Sequence, residues 1–180
     1  MELGRDGLVT GIRQVPSPNC DDRPEGGAVT LLVVHSISLP PGEFGGESVE
    51  RLFTNRLQAG AHPYFAGIAG LRVSAHFFVR RDGAIVQFVP VSRRAWHAGA
   101  SRWRGRSRCN DFSVGVELEG GDDSTFEAAQ YAGLAGLVRA LRDRLPLTDV
   151  AAHSDVAPGR KSDPGPLFDW PRCLSLLARP

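Results

Sequence analysis

The chain has 180 residues, 42% of them hydrophobic, with 21 Lys and Arg against 20 Asp and Glu for a formal net charge of +1. That length supports one substantial core and argues against two independent domains. The balanced charge excludes a bulk electrostatic drive toward nucleic acid or an anionic membrane.

Residues 1–27 are rich in Pro, Asp, Asn and Gly and are expected to form an extended arm, with a single domain over 28–180. The opening Met1-Glu-Leu-Gly-Arg-Asp-Gly-Leu8 lacks the basic start and apolar stretch of a secretory leader, and no later segment is long enough to span a membrane. A cytoplasmic location is therefore expected. Cys20, Cys109 and Cys173 are odd in number, far apart and outside any Cys-x-x-Cys pair, so reduced thiols are expected and neither a disulfide framework nor a thiolate zinc site.

Val29-Thr-Leu-Leu-Val-Val-His35 is apolar and β-branched over the length of a buried central strand, which puts His35 at a strand end where clefts open. Pro40, Pro41 and the glycines up to Gly46 make the next stretch a loop. Ser48 to Leu57 carries Val49, Leu52, Phe53 and Leu57 at helical spacing behind Ser48 as the capping residue. Ser74–Arg80 and Ala84–Val89 read as two strands about the Arg81-Asp82-Gly83 turn. Phe112–Glu119 reads as a strand with Val114, Val116 and Leu118 on one face and Ser113, Gly115, Glu117 and Glu119 on the other.

Ser124-Thr-Phe-Glu127 matches a capping box, and Leu134, Leu137, Val138, Leu141 and Leu145 follow along one helical face until Pro146. Val150–His153 predicts a short strand that delivers His153 to a loop, and Leu167–Leu177 a terminal helix with Asp169 near its start. Alternating strands and helices with a hairpin in the middle predict an α/β chain with a central mixed sheet flanked by helices.

Seven runs, in order, carry a resemblance: His35-Ser-Ile-Ser-Leu-Pro-Pro-Gly-Glu-Phe-Gly45, Leu71-Arg-Val-Ser-Ala-His76, Arg80-Arg-Asp-Gly83, Arg94-Ala-Trp-His-Ala-Gly99, Arg108-Cys-Asn-Asp-Phe-Ser113, Gly115-Val-Glu-Leu-Glu-Gly120 and Arg160-Lys-Ser-Asp-Pro-Gly-Pro166. From Val29 to Trp170 the chain resembles the cytoplasmic 1,6-anhydro-N-acetylmuramyl-L-alanine amidases, the AmpD family of type 2 N-acetylmuramoyl-L-alanine amidases. The resemblance implies the fold shared by phage lysozyme-type amidases and peptidoglycan recognition proteins. It implies one zinc ion held by His35, His153 and Asp163, with Glu117 and Lys161 as the catalytic acidic and basic residues. The implied reaction is hydrolysis of the amide between (1,6-anhydro-)N-acetylmuramic acid and the L-alanine of a stem peptide. In that family the reaction serves cell-wall recycling and, through metabolite level, β-lactamase regulation, with no nucleic-acid, membrane or obligate protein partner. Ser36 stands where these enzymes commonly carry Asn, and Ser154 where some carry Cys; neither change removes a ligand.

The residue types suit the chemistry. Two imidazoles and a carboxylate can hold zinc with a fourth position open to water, and such an ion acidifies water and polarises a carbonyl. Glu117 is assigned proton transfer and Lys161 stabilisation of the oxyanion, a division that could be reversed in part. Glu119 shares the face of Glu117 and competes with it. Trp96 offers a face for a sugar ring or a cleft wall. Arg72 and Arg108 are candidate clamps for stem-peptide carboxylates or plain surface residues. His62 is assigned to a loop, His76 to a buried hydrogen-bonded position, His97 to packing and Arg160 to an ion pair. The run Ser101-Arg-Trp-Arg-Gly-Arg-Ser-Arg108 reads as a mobile loop facing an anionic muropeptide and not as a nucleic-acid patch. The rival functions are a muropeptide-binding module without hydrolysis and an amidase acting on intact peptidoglycan.

Overall fold

The computed structural model describes residues 1–178. The first 27 residues are not detached from the domain. Arg13–Gln14 (β1) runs parallel to Val86–Gln87, and Cys20–Asp22 (β2) pairs antiparallel with Arg93–Ala95. Leu3 and Val9 are buried in the core, and the Val9 amide donates to Gln87 Oε1 at 2.8 Å. The Arg23 guanidinium donates to the carbonyls of Val91, Asn110, Asp111 and Ser113, stitching this segment to the far side of the sheet.

Leu31–Ile37 (β3) starts and ends two residues beyond the predicted Val29–His35 run, so His35 lies within the strand and not at its end; Leu31–Val34 are buried on both faces, as a central parallel strand requires. Ser48–Phe53 (α1) is shorter than expected. Its N-cap is Glu47 and not Ser48, and the chain turns away after Phe53, with Asn55 at φ 58°. Leu57 is nonetheless buried beneath it. Two 3-10 turns follow at Ala59–Ala61 and Pro63–Gly67.

The predicted hairpin is present as Phe77–Val79 (β4) and Ile85–Gln87 (β5). The Gly83 amide donates to the Arg80 carbonyl at 2.9 Å, and Gly83 has φ +85°, a conformation that suits glycine. Arg93–Ala95 (β6) leads to a small hairpin of Arg102–Trp103 (β7) and Arg106–Ser107 (β8). This hairpin stands where a mobile loop was expected. Arg104 and Gly105 make its turn at positive φ, and Arg104 pairs with Asp149 at 2.8 Å. Arg106 lies 3.8 Å from the centre of the Phe112 ring, and Arg108 pairs with Asp111 at 3.2 Å.

Ser113–Glu119 (β9) is the second central strand, followed by Ala128–Arg142 (α2). The capping interaction lies three residues beyond the expected one: Gln130 Oε1 accepts from the Glu127 amide at 3.0 Å, while Ser124 Oγ is engaged with Gly121. Asp149–Ala152 (β10) ends in a one-turn helix, His153–Val156 (α3), and Trp170–Leu177 (α4) is capped by Asp169. His153 is thus the first helical residue and not a loop residue.

The main sheet has the order β1-β5-β4-β9-β3-β10, parallel throughout except for β4 with β5. One face packs against α2 and α4 through Leu32, Val34, Val114, Val116, Leu134 and Leu137. The other face carries two separate apolar clusters, one around Phe53, Phe78 and Phe88 and one around Leu31, Val33 and Val156. Among the described residues no helix is long and apolar enough to cross a membrane. The three cysteines are free, with Cys109 and Cys173 buried.

Candidate metal centre and catalytic cleft

The polar cluster sits between those two apolar clusters, at the carboxyl ends of three adjacent parallel strands. Register brings it together. Val34 pairs with Ala152 and His35 with Glu117, so His153, His35 and Glu117 stand in a row across β10, β3 and β9. Asp155 Oδ2 accepts from the Ala152 amide at 2.8 Å and turns the chain into α3 at His153. Asp163 returns to this point because the Ser154 amide donates to its carbonyl at 3.0 Å.

His35 Nδ1 lies 2.9 Å from His153 Nδ1 and 3.1 Å from Asp163 Oδ2, and the His153 Nδ1 to Asp163 Oδ2 distance is 2.9 Å. Tetrahedral ligands about 2.0–2.1 Å from a cation are spaced roughly 3.3 Å apart, so this triangle is close to the size a zinc-like ion demands. Both histidines are buried, and Asp163 keeps 17% side-chain exposure, which leaves an opening on one side. Burial lowers the His35 pKa to about 4, so the ring is neutral near pH 7. Burial opposes ionisation of Asp163, yet the close approach of the His153 and His35 rings holds its carboxyl below the usual carboxylate range. Two histidines and one carboxylate with converging donor atoms form a set that can hold a metal ion.

Glu117 faces the same centre, with Oε1 4.0 Å from His35 Nδ1 and 12% side-chain exposure. Its Oε2 is buried without a hydrogen-bond partner among the described residues. Burial, then the Asp163 charge, raise its pKa well above the ordinary value, with Lys161 working in the opposite direction. A carboxylate so placed is poised to take up and release a proton. Glu119 is excluded from that task because Gly45 and Arg81 amides donate to it at 2.5 and 3.1 Å.

The cleft has a volume of about 510 Å³. His35, His153, Asp163, Glu117, Lys161 and Trp96 line it, which brings together every proposed metal-binding and catalytic residue. Lys161 is exposed at the rim and forms no ion pair among the described residues. Arg72 and Arg108 are not part of the lining; Arg72 Nη1 donates to the Gly70 carbonyl at 3.2 Å, and Arg108 holds Asp111. None of Arg102–Arg108 lines the cleft either, so the arginine hairpin does not face it.

Sequence reasoning missed the apolar wall formed by Leu39, Tyr64, Ile68 and Leu71. Tyr64 and Leu71 are 45% and 46% exposed, unusual for such residues next to a polar centre, although exposure has no sequence signature. Among the described residues Arg160 forms no ion pair: its Nη2 donates to the carbonyls of Ala98 and Ala100 at 2.6 and 2.8 Å. His62 is the expected loop residue, its Nδ1 accepting from the Tyr64 amide. His76 is the expected buried one, with Nδ1 accepting from the Gly115 amide at 3.0 Å.

Burial and the nearby Arg23 charge lower the His76 pKa from 6.5 to about 3. Below pH 6.5 the unfolded chain therefore binds a proton that the folded chain refuses. Stability is present above that pH and is lost as pH falls toward about 3, at up to about 1.4 kcal/mol per pH unit for this one histidine. Urea unfolding of chelator-treated protein should give a lower midpoint at about pH 5 than at about pH 7, and equal midpoints would contradict the buried neutral histidine.

Residues 25–166 match the family model described as N-acetylmuramoyl-L-alanine amidase. The chain is 55% identical over 179 residues to the 1,6-anhydro-N-acetylmuramyl-L-alanine amidase AmpD of Escherichia coli strain K12, covering 98% of each chain. A crystal structure of a selenomethionine AmpD derivative superposes with a TM-score of 0.95 at 54% identity, covering 98% of this chain and 99% of that one. The E. coli amidase AmiD, in complex with anhydro-N-acetylmuramic acid-L-Ala-D-gamma-Glu-L-Lys, superposes with a TM-score of 0.61 at 31% identity, over 86% of this chain and 60% of that one. With a mixed sheet and a His-His-Asp centre beside a recessed glutamate already in place, these likenesses assign the chain to the N-acetylmuramoyl-L-alanine amidase family, within its AmpD group.

Proposed function

We propose that the cleft holds one zinc ion on His35 Nδ1, His153 Nδ1 and Asp163 Oδ2, and hydrolyses the amide between 1,6-anhydro-N-acetylmuramic acid and the L-alanine of a stem peptide. The observation that carries this reading is the triangle of donor atoms, 2.9 to 3.1 Å on its sides, facing a buried carboxylate oxygen that has no partner. Zinc bound there supplies Lewis acidity toward a carbonyl and toward water.

Glu117 takes the proton of the attacking water and passes it to the departing nitrogen, a role that suits a carboxylate with a raised pKa. Lys161, at the rim of the same cleft, stabilises the charge that develops on the carbonyl oxygen. Trp96 gives the sugar ring a face to stack on, and the Tyr64 and Leu71 side extends that apolar wall. Arg72, between the lining residues Leu71 and Val73, is assigned to the acidic groups of the stem peptide, whereas Arg108, engaged with Asp111 on a hairpin that does not face the cleft, is not. Arg72→Ala should raise KM by about tenfold with kcat little changed, and Arg108→Ala should leave both the same. If KM for a stem-peptide substrate stays the same in Arg72→Ala, the clamp assignment is wrong.

Similarity to recycling amidases supports a small soluble muropeptide as substrate and a cytoplasmic location. Any effect on β-lactamase expression then runs through muropeptide level and involves no DNA contact. Incubation with a defined anhydromuramyl tripeptide should release free tripeptide and anhydromuramic acid, identified by mass. Binding without cleavage would favour the non-hydrolytic module, and faster cleavage of polymeric wall than of the anhydro compound would favour an amidase of intact peptidoglycan.

A further inference from the structure

His97 and Ala98 follow β6 and touch both candidate histidine ligands from behind. The His97 ring stands perpendicular to that of His35, with centroids 5.0 Å apart. It occupies space over Gly115, where a Cβ would come within 2.4 Å of the ring. Glycine at that point of β9 is what leaves room for the imidazole.

Hydrogen bonds assign the protons by elimination. Ser113 Oγ lies 2.6 Å from the Cys109 carbonyl, which can only accept, so the hydroxyl spends its one proton there. Toward His97 Nε2, 3.1 Å away, Ser113 then accepts, and that nitrogen carries the hydrogen. A neutral imidazole has one N–H, so His97 Nδ1 is a lone pair, and His35 Nε2, 2.9 Å away, donates to it. His35 Nδ1 is left unprotonated, facing Asp163. The second histidine is set in the same manner. His153 Nε2 faces the Ala98 carbonyl at 3.3 Å and donates, leaving its Nδ1 free of a proton. The two-residue step is itself held: Asn110 Oδ1 accepts from the His97 and Ala98 amides at 3.3 and 2.8 Å, and Arg160 donates to the Ala98 carbonyl.

We propose that the His97–Ala98 step, backed by Ser113 and Asn110, is the positioning element that presents Nδ1 of both His35 and His153 to a bound cation. The inference rests on the zinc reading above and adds a residue to it. Two unprotonated nitrogens and a carboxylate oxygen within 3.1 Å of one another repel unless a cation lies among them, so the step builds the site's affinity for metal. His97 acts through His35 and touches no reacting atom.

The test measures zinc dissociation constants by chelator competition for the full chain, for His97→Phe and for His97→Asn, along with urea midpoints of each zinc-free protein. Phe keeps the ring and loses the acceptor; Asn loses the ring and keeps an acceptor oxygen close to where Nδ1 stood. His97→Phe should bind zinc about 10- to 100-fold more weakly, with His97→Asn recovering most of the loss. A packing role alone predicts the reverse order, Asn being the worse filler of the two. Nitrogen-15 histidine spectra of the zinc-free wild type give a second readout that needs no variant, and should show His35 protonated at Nε2. Protonation at Nδ1, or wild-type affinity in a folded His97→Phe chain, overturns the inference alone. Failure of the wild type to bind zinc overturns the zinc reading and this inference with it.

Discussion

Asp163→Ala should abolish metal binding and turnover together. Asp163 supplies the one anionic donor in the triangle, its Oδ2 lying 3.1 and 2.9 Å from the two imidazole nitrogens. Without it, two neutral rings remain, and the loss of affinity should exceed the roughly 10- to 100-fold that follows removal of an outer hydrogen-bond partner. The backbone role of this residue survives, because the Ser154 amide bonds to its carbonyl and not to its side chain. The variant should therefore fold, with far-UV circular dichroism like that of the wild type, while metal analysis finds no bound ion. A folded Asp163→Ala chain that retains metal would show that the carboxylate is not a ligand.

Glu117→Gln should separate metal from catalysis. The substitution keeps size and hydrogen-bonding capacity but removes the ability to accept a proton, so kcat should fall by about 10²- to 10⁴-fold with metal content unchanged. Glu117 Oε1 is 4.0 Å from His35 Nδ1, farther than the Asp163 oxygen, and the unpartnered state of its Oε2 shows that folding does not depend on that oxygen. Activity within a few fold of the wild type would transfer the proton to another group. Loss of metal together with rate would place Glu117 among the ligands.

The parts of the fold legible in the sequence are those whose burial pattern is local. β3 reads as an unbroken apolar run because both its faces are covered, and α2 reads as a 3.6-residue stripe because one face packs on the sheet. β1 and β2 have two and three residues, and their partners lie some seventy positions away, so no local pattern marks them. The start of α2 was offset because both Ser124 and Glu127 precede a partner at capping distance, and tertiary context chose Glu127.

At the site, the three candidate ligands were accessible through residue type and family resemblance, and Glu117 through strand alternation. What separates Glu117 from Glu119 is not in the sequence: Glu119 is consumed by two amides from a loop and a hairpin turn. The contact of His97 with His35 depends on the approach of the 96–99 segment to Gly115, which nothing within either segment announces. Arg160 illustrates the same limit, since a loop arginine read from sequence as an ion-pair partner satisfies two backbone carbonyls.

Zinc titration of stripped enzyme, with cleavage of an anhydromuramyl tripeptide as the readout, tests zinc-dependent hydrolysis most directly. Chelator-treated protein should be inactive and should regain full rate with a sharp break at about one zinc per chain. Full activity in protein shown to be free of metal would contradict it.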